Sequence, residues 1–193
     1  KSMPPSVSVR EAFRWVETDT PYQPPDDTYC PTRDVFSARL ETNLARWEKD
    51  LGENASLLAA VAGEIGNNSY DHNLGNWPDI PGTMFTADGA ERRVIIADRG
   101  VGIRTTIQFI KPDVADDEEA LTVAFTQILS GRKDEHRGNG LKFVKSVITE
   151  NHWRLRFASG NGLLTLGSEK KLHQMTIGKQ SPRVAGCLAV IGY

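Results

Sequence analysis

The stretch GEIGNNSYDHN, residues 63–73, continues the helical spacing of the apolar residues before it, yet it contains two glycines and three asparagines. Glycine in a helix interior costs about 1 kcal/mol relative to alanine, and asparagine competes with the backbone for hydrogen bonds. The spacing of Leu58, Val61 and Ile65 nevertheless predicts a helix over about 55–72 with one apolar stripe. Small residues gather away from that stripe, so we expect a second element to pack closely against the glycines.

Three polar side chains of this stretch, Glu64, Asn68 and His72, recur at four-residue steps and therefore lie one turn apart on the helix. Polar groups on an inward face cost free energy unless they have partners. An amide oxygen ligates Mg²⁺ and a carboxylate accepts a proton, so Asn68 is a candidate metal ligand and Glu64 a candidate general base. The alternative for each residue alone is a buried group that hydrogen-bonds loop backbone or caps the helix, and His72 keeps that interpretation.

The composition is that of an ordinary globular domain: hydrophobic residues make up 39% and charged residues 25%, and the formal net charge is -2. This balance gives no general attraction to nucleic acid or to an anionic membrane. No apolar run approaches the roughly 18 residues of a membrane span, so we expect no membrane insertion. Cys30 and Cys187 lack ligand-like spacing, so we expect neither a zinc site nor a disulfide, and we expect a reducing, cytoplasmic environment. The chain begins with Lys-Ser, which is compatible with a piece of a longer protein.

Proline marks the first part of the chain, because six of the ten prolines lie in residues 1–32. We interpret these residues as a Pro-rich arm with one short helix near residues 8–18, followed by a folded domain over residues 33–193. Within that domain, helical spacing recurs over TRDVFSARLETNLARWEKDLG (32–52), DDEEALTVAFTQILSG (116–131) and LKFVKSVITEN (141–151).

One compact apolar strand, RRVIIAD (92–98), lies in the middle of the domain, and residues 78–90 are predicted to be loop or turn because they carry Pro, Gly and Asp-Gly. The end of the chain turns to short strands: WRLRFAS (153–159), LLTLG (163–167), HQMTIG (173–178) and GCLAVIGY (186–193). Helices, a central strand and then hairpin-like strands indicate an α+β fold. We predict a two-layer α/β sandwich with helices on one face of a mixed, mostly antiparallel sheet.

The segment VIIADRGVGI, residues 94–103, places Asp98 at the end of the central strand with Gly100 and Gly102 just after it. A carboxylate there accepts a hydrogen bond from an exocyclic amine, and the glycines let a planar ring approach the backbone. The alternative is an ordinary strand-ending turn.

The segment HRGNGLKFVKSVI, residues 136–148, places Gly138 and Gly140 at the start of a helix. Unpaired N–H groups and the helix dipole at that end favour a phosphate. Among the cations around the segment, Arg137 and Lys142 are candidates for phosphate contact, and the alternative for most of them is a solvated basic loop.

The three motifs in this order resemble the GHKL superfamily of gyrase-type topoisomerases, heat-shock chaperones, histidine kinases and MutL. The corresponding boxes are EIGNNSYDH, DRGVG and GNGL, and the resemblance covers about residues 55–192. It implies a Bergerat-type ATP-binding fold with ATP and Mg²⁺ as ligands and an ATP lid over about residues 103–137. It further implies Glu64 as the general base, Asn68 as the Mg²⁺ ligand, Asp98 as the acceptor of the adenine amine, and a nucleotide pocket completed by Gly100, Gly102, Gly138, Asn139, Gly140 and Leu141.

Within the superfamily, the chain looks most like small stand-alone bacterial histidine-kinase-like ATPases and anti-sigma-factor kinases. This implies an enzyme of bacterial signal transduction that transfers the γ-phosphate of ATP to water or to a partner protein. The alternatives are an anti-sigma-type serine/threonine kinase and a non-enzymatic, ATP-gated binding switch. No histidine precedes Glu64, so autophosphorylation on a histidine of this chain is not expected. Arg99 departs from the family pattern, and we expect it to point to solvent, a phosphate contact being the alternative.

Overall fold

The computed structural model describes residues 7–127, 139–168 and 171–193. In these ranges the chain forms six helices and five strands. The helices are α1 (Val7–Glu17), α2 (Arg33–Leu51), α3 (Asn54–Asn73), α4 (Gly102–Gln108), α5 (Asp117–Thr126) and α6 (Gly140–Glu150). The strands are β1 (Tyr29–Cys30), β2 (Thr83–Asp88), β3 (Arg93–Asp98), β4 (Arg154–Ser168) and β5 (Lys171–Gly192).

The strands form one sheet in the order β1-β2-β3-β5-β4, and every described pairing is antiparallel. β3 is therefore the central strand, with β2 and β5 as its neighbours. Its register places Asp98 between Thr83 of β2 and Cys187 of β5. The chain has the predicted α+β architecture, a sheet with a layer of helices packed on one face. None of the described helices is both long and apolar enough to cross a bilayer.

The main hydrophobic core lies between the sheet and the helices α2 to α6. It is built from alternate strand residues, such as Val94 and Ile96, and from the apolar stripe of α3, in which Leu58 and Val61 have no exposed surface. α2 begins where the Thr32 hydroxyl accepts a hydrogen bond from the Val35 amide, and it ends at Gly52 with a positive φ of 56°. These caps place α2 alongside α3.

The prediction that a second element packs against the glycines of α3 is confirmed, and that element is α2. A Cβ at Gly63 would lie 3.5 Å from Leu40, and a Cβ at Gly66 would overlap the ring of Phe36. Phe36 is fully buried, so its ring cannot move into solvent to make space for a methyl group at position 66. Glycine therefore permits the close approach of the two helices that carry one side of the site.

The second core lies on the opposite face of the sheet, which α1 partly covers. Trp15 of α1 has no exposed surface, and it packs with its helix neighbours against Ile95, Ala97 and Leu188 of the sheet. The chain thus contributes one helix to the outer face in addition to the predicted layer. The division into an arm over 1–32 and a domain over 33–193 stays a prediction.

The expectation of loop over residues 78–90 is wrong for the six residues of β2. The turn was predicted from Pro78, Pro81 and Gly82. These residues all precede Thr83, where β2 begins. β2 pairs along its whole length with β3, from Thr83 opposite Asp98 to Asp88 opposite Arg93. The long-range ladder with β3 stabilises a segment whose flanks alone favour a turn.

Candidate functional site

Asp98 ends β3 with its carboxylate buried on the helix side of the sheet, where the residue is 4% exposed. One carboxylate oxygen accepts a hydrogen bond from the Ser69 hydroxyl at 2.7 Å, and the other accepts one from the Gly100 amide at 2.8 Å. Burial raises the pKa of Asp98 to about 6, although the hydrogen bonds from Ser69 and from the Gly100 and Cys187 amides act to lower it. The carboxylate is thus fixed in position but retains lone pairs for a further donor.

Asn73 joins the last turn of α3 to the loop that follows Asp98. Its side-chain amide donates to the Ser69 carbonyl at 2.8 Å, and its oxygen accepts from the Val101 amide at 2.8 Å. A Cβ at Gly100 would overlap this amide, so only glycine fits at that position. The sequence reasoning missed Ser69 and Asn73. Their spacing could have indicated them, because Ser69 and Asn73 lie one turn apart on the helix that carries Glu64 and Asn68.

Gly102 begins α4 with a φ of +80°, a conformation that favours glycine. The Ser159 hydroxyl supports this turn, because it accepts a hydrogen bond from the Ile103 amide at 3.0 Å and donates to the Gly186 carbonyl at 2.8 Å. The glycine loop between β3 and α4 is therefore held from α3 through Asn73 and from the sheet through Ser159.

A cavity of about 30 Å³ lies under this loop, between α3, α4 and the sheet. The predicted site residues Asn68, Asp98, Gly102 and Leu141 line it together with His72, Ser69, Asn73 and Cys187. A buried water needs roughly 10–15 Å³ of such volume, so the cavity holds about two waters in this conformation. A planar base is larger than this volume, so its entry requires the elements around the cavity, α4 among them, to move apart.

His72 is an exposed residue that lines this cavity. Partial loss of hydration lowers its pKa, and the charge of Asp71 opposes this effect.

Glu64 and Asn68 both reach the start of α6. A Cβ at Gly140 would overlap the Glu64 carboxylate, and it would lie 3.9 Å from the Asn68 side-chain nitrogen. Asn139, the N-cap residue of α6, makes no side-chain capping hydrogen bond. The first amides of this 11-residue helix therefore lie beside Glu64 and Asn68 without a cap from Asn139, in the arrangement that favours an anion.

The remaining predicted positions divide into two groups. Lys142 lies in the first turn of α6, where burial lowers its pKa. Gly138, Arg137 and the end of the predicted lid lie outside the described residues. The described part of the lid contains α4 and α5, and the Asp116 side chain caps α5 by accepting from the Glu119 amide at 2.8 Å.

The expectation that Arg99 points to solvent is wrong, and the structure gives it no phosphate-facing position either. Arg99 is 3% exposed, and its guanidinium turns to the outer face of the sheet. There it donates to both oxygens of Asp79, at 3.0 and 2.9 Å, and to the carbonyls of Trp15 and Thr18. Because Arg99 directly follows Asp98, these hydrogen bonds connect α1 to the end of β3. These partners lie 20 to 84 residues away in the sequence, beyond any local pattern.

The comparisons with known proteins found similarity at the level of structure. No protein-family model matches the chain, and a search of curated proteins found no match. Among solved structures, the chain is similar to the 43K ATPase domain of Thermus thermophilus gyrase B in complex with an aminocoumarin, with 15% identity and a TM-score of 0.39. The match covers 79% of this chain and 38% of that chain. Because similarity at this level does not assign a family, the function rests on the geometry of the site.

Proposed function

We propose that this chain is a GHKL-type domain that binds Mg²⁺-ATP and transfers the γ-phosphate to water or to a partner protein. The observation that carries the proposal is Asp98, a carboxylate buried in the floor of a cavity and held by Ser69 and Gly100. A carboxylate in this position accepts a hydrogen bond from the exocyclic amine of adenine. The glycines on the adjoining loop leave space for the ring once α4 moves.

The residues present also fit Mg²⁺ and phosphate. Mg²⁺ in nucleotide sites takes one or two protein oxygens besides water and substrate phosphates. The Asn68 amide, on the rim between the cavity and the start of α6, fits the role of such a ligand, and the first amides of α6 fit the phosphates. When bound, Mg²⁺-ATP supplies the phosphoryl group to be transferred.

Glu64 is the residue that favours an enzyme over a binding switch. Its carboxylate is exposed and lies against Gly140 at the start of α6, beside the proposed phosphate position. From there it would accept the proton of an attacking water or hydroxyl group as the bond to the γ-phosphorus forms and the bond from that phosphorus to the bridging oxygen breaks, with ADP as the leaving group. A domain that only binds ATP and changes shape has no use for such a base. We further propose that the chain acts in bacterial signalling. A partner protein phosphorylated on serine or threonine, as by anti-sigma-factor kinases, is one candidate acceptor.

The first test is ATP turnover by the purified chain with Mg²⁺, compared with Glu64→Ala and a control, Glu48→Ala, on the exposed side of α2. We expect Glu64→Ala to bind ATP with nearly unchanged affinity and to turn it over at least ~10²-fold more slowly. The control should match the unmodified chain. Loss of binding together with turnover would mean that Glu64 has a structural role and would refute the assignment of a base.

Adenine recognition is tested separately by Asp98→Asn, whose amide presents a donor where adenine requires an acceptor. We expect ATP binding, measured by calorimetry, to be abolished while the variant remains folded. Unchanged affinity would refute the adenine site. Binding without turnover in the unmodified chain, followed by phosphorylation of an added partner, would instead identify a protein kinase.

A further inference from the structure

A second cavity, of about 310 Å³, lies beside α4. Ile103 and Thr106 of this helix line the cavity at Asp98. Arg104 and Gln108, on the opposite side of the helix, line the second cavity. α4 therefore separates the two cavities. We call the second one the polar cavity, because α5, β4 and β5 complete it mainly with polar residues.

An irregularity of the β4–β5 ladder places Arg183 at the polar cavity. The strand pairing shifts between Gly160 and Gly162 of β4, so residues 180–183 of β5 bulge out of the ladder. Bulges of this kind redirect side chains and are frequent beside functional sites. Arg183 is exposed, and it makes no hydrogen bond or ion pair with the residues that the structure describes. Its guanidinium is therefore available to a ligand.

Arg104 is the second cation of the polar cavity, and one of its nitrogens is held by the protein. Its Nη2 donates to the Ala115 carbonyl at 2.6 Å. Its Nε is buried and has no hydrogen-bond partner in the described part of the chain, and Nη1 likewise has none there. Unpaired buried donors are rare in native proteins. The Arg104 guanidinium is thus anchored at one nitrogen and retains further donors.

Asp117, the first residue of α5, brings a negative charge to the same cavity. One of its carboxylate oxygens accepts a hydrogen bond from the Asn161 amide at 2.8 Å. A Cβ at Gly160 would overlap this carboxylate, so glycine at that position leaves the space that Asp117 occupies. The other oxygen has no hydrogen-bond partner among the described residues, and it can accept from a ligand.

We propose that the polar cavity binds a free amino acid with an acidic side chain. The guanidinium groups of Arg104 and Arg183 match its two carboxylates, and Asp117 matches its ammonium group. Two arginines and one carboxylate give these three groups a net charge of +1, which a ligand of the opposite charge neutralises. Inorganic phosphate would bring a second negative charge toward Asp117. The volume lies at the lower end of the roughly 300–1,000 Å³ of small-molecule sites, as a small ligand requires.

A ligand in the polar cavity would connect three elements, because Arg104 belongs to α4, Asp117 to α5 and Arg183 to β5. It would therefore oppose the movement of α4 that entry to the cavity at Asp98 requires. This effect on nucleotide entry rests on the proposed function, whereas binding in the polar cavity does not. The experiment below is accordingly done without nucleotide, so that its result is independent of ATP binding.

The test uses L-glutamate as the probe, in a calorimetric titration of the full chain. Arg183→Gln removes one cavity charge from an exposed side chain, and Arg46→Gln removes the same charge from an exposed position on α2 as a control. We expect Arg183→Gln to bind L-glutamate at least ~10-fold more weakly and Arg46→Gln to bind it like the unmodified chain. No binding by the unmodified chain, or equal binding by Arg183→Gln, would overturn the proposal.

The variant Asp117→Asn tests recognition of the ammonium group, because asparagine keeps an oxygen for the Asn161 amide and removes the charge. We expect it to bind L-glutamate at least ~10-fold more weakly. Glutarate, which lacks the ammonium group, should bind this variant no more weakly than it binds the unmodified chain. If the unmodified chain binds glutarate or inorganic phosphate as tightly as L-glutamate, the assignment of an amino acid is wrong.

Hydrogen exchange tests the effect on α4. The Ile103 amide donates to the Ser159 hydroxyl at 3.0 Å, and this hydrogen bond is lost when the start of α4 moves. Saturating L-glutamate should slow exchange of this amide in the unmodified chain at least ~10-fold, and in Arg46→Gln equally. Unchanged exchange with L-glutamate bound would show that the ligand does not hold α4 in place.

Discussion

Replacing Asp79 with asparagine should release α1 from the glycine loop of the site. Arg99 is buried, and Asp79, whose side chain is 26% exposed, is its one carboxylate partner among the residues that the structure describes. The variant leaves the guanidinium facing an amide whose nitrogen is itself a donor. Removing one member of a buried pair costs about 3–5 kcal/mol. Because water reaches Asp79 and the carbonyls of Trp15 and Thr18 remain as acceptors, we expect a cost below that range, about 2–3 kcal/mol.

A loss of this size lowers Tm by roughly 4–12 °C in a domain of this length. The matched control is Asp71→Asn, because Asp71 pairs with Arg33 on the surface, where both side chains are about half exposed. Exposed pairs contribute about 0–1 kcal/mol, so the control should shift Tm little. Hydrogen exchange should show faster exchange in α1 and at the amides of Gly100 and Val101 for Asp79→Asn alone.

The effect of Asp79→Asn on stability should depend on pH. Burial acts to raise the pKa of Asp79. The hydrogen bonds from Arg99 and the Ile80 amide, together with the charge of Arg99, more than offset this effect. The pKa of Asp79 therefore lies below its ordinary value of 3.8. A lowered pKa stabilises the folded state above the unfolded pKa, and that stabilisation is lost as pH falls through the folded one. The difference between the unmodified chain and Asp79→Asn should therefore be full at neutral pH and shrink below about pH 4. Equal stability of the two proteins at pH 7, with unchanged exchange in α1, would refute the coupling of α1 to the site.

Three further predictions concern packing and protonation. Gly66→Ala should lower the free energy of unfolding by about 1–3 kcal/mol in denaturant titration, because the new methyl group overlaps the buried ring of Phe36. Gly140→Ala should displace the flexible Glu64 carboxylate and slow ATP turnover at least ~10-fold while ATP affinity changes less, as steady-state kinetics and calorimetry would measure. Since burial raises the pKa of Asp98 to about 6, its ionisation should cost the folded state on the order of 3 kcal/mol as pH rises from about 4 to about 6, and Asp98→Asn should lack that dependence.

The controls for these variants come from glycines in open space. A Cβ at Gly89 or Gly178 would meet nothing within 4 Å, so alanine at either position should leave stability within about 0.5 kcal/mol and turnover unchanged. Equal losses at Gly66 and Gly89 would show that backbone freedom rather than the contact with Phe36 sets the cost. A pH profile of stability that is the same with and without Asp98→Asn would contradict the buried, raised-pKa carboxylate.

The elements that sequence reasoning found are those that local spacing determines. The α3 helix and the strand ending at Asp98 carry an apolar period along their own length. The glycines of α3 indicated the close approach of a second element, which the structure identifies as α2. β2 was missed because its pairing with β3, rather than its own composition, makes it a strand. Asn73 was missed because its role depends on where the Gly100 loop passes in space.

Arg99 is the clearest limit of reasoning from the sequence. Asp98 was placed correctly at the end of the central strand, and the same context suggested a solvent-facing or phosphate-facing side chain for Arg99. Alternation along an extended strand sends adjacent side chains to opposite faces. Asp98 faces the helices, so Arg99 faces α1, and its partners come from chain segments that no local pattern connects to it.

The small size of the cavity at Asp98 has a consequence for the rate of ligand binding. A ligand that enters only after α4 moves binds at a rate limited by that opening, so the observed rate constant should level off as ligand concentration rises. The measured affinity is then the intrinsic affinity reduced by the fraction of molecules that are open. Opening α4 breaks the hydrogen bond between the Ile103 amide and the Ser159 hydroxyl and exposes Ile107, which is buried in the closed form. Different ligands of this cavity should therefore share one limiting rate, set by the protein and not by the ligand.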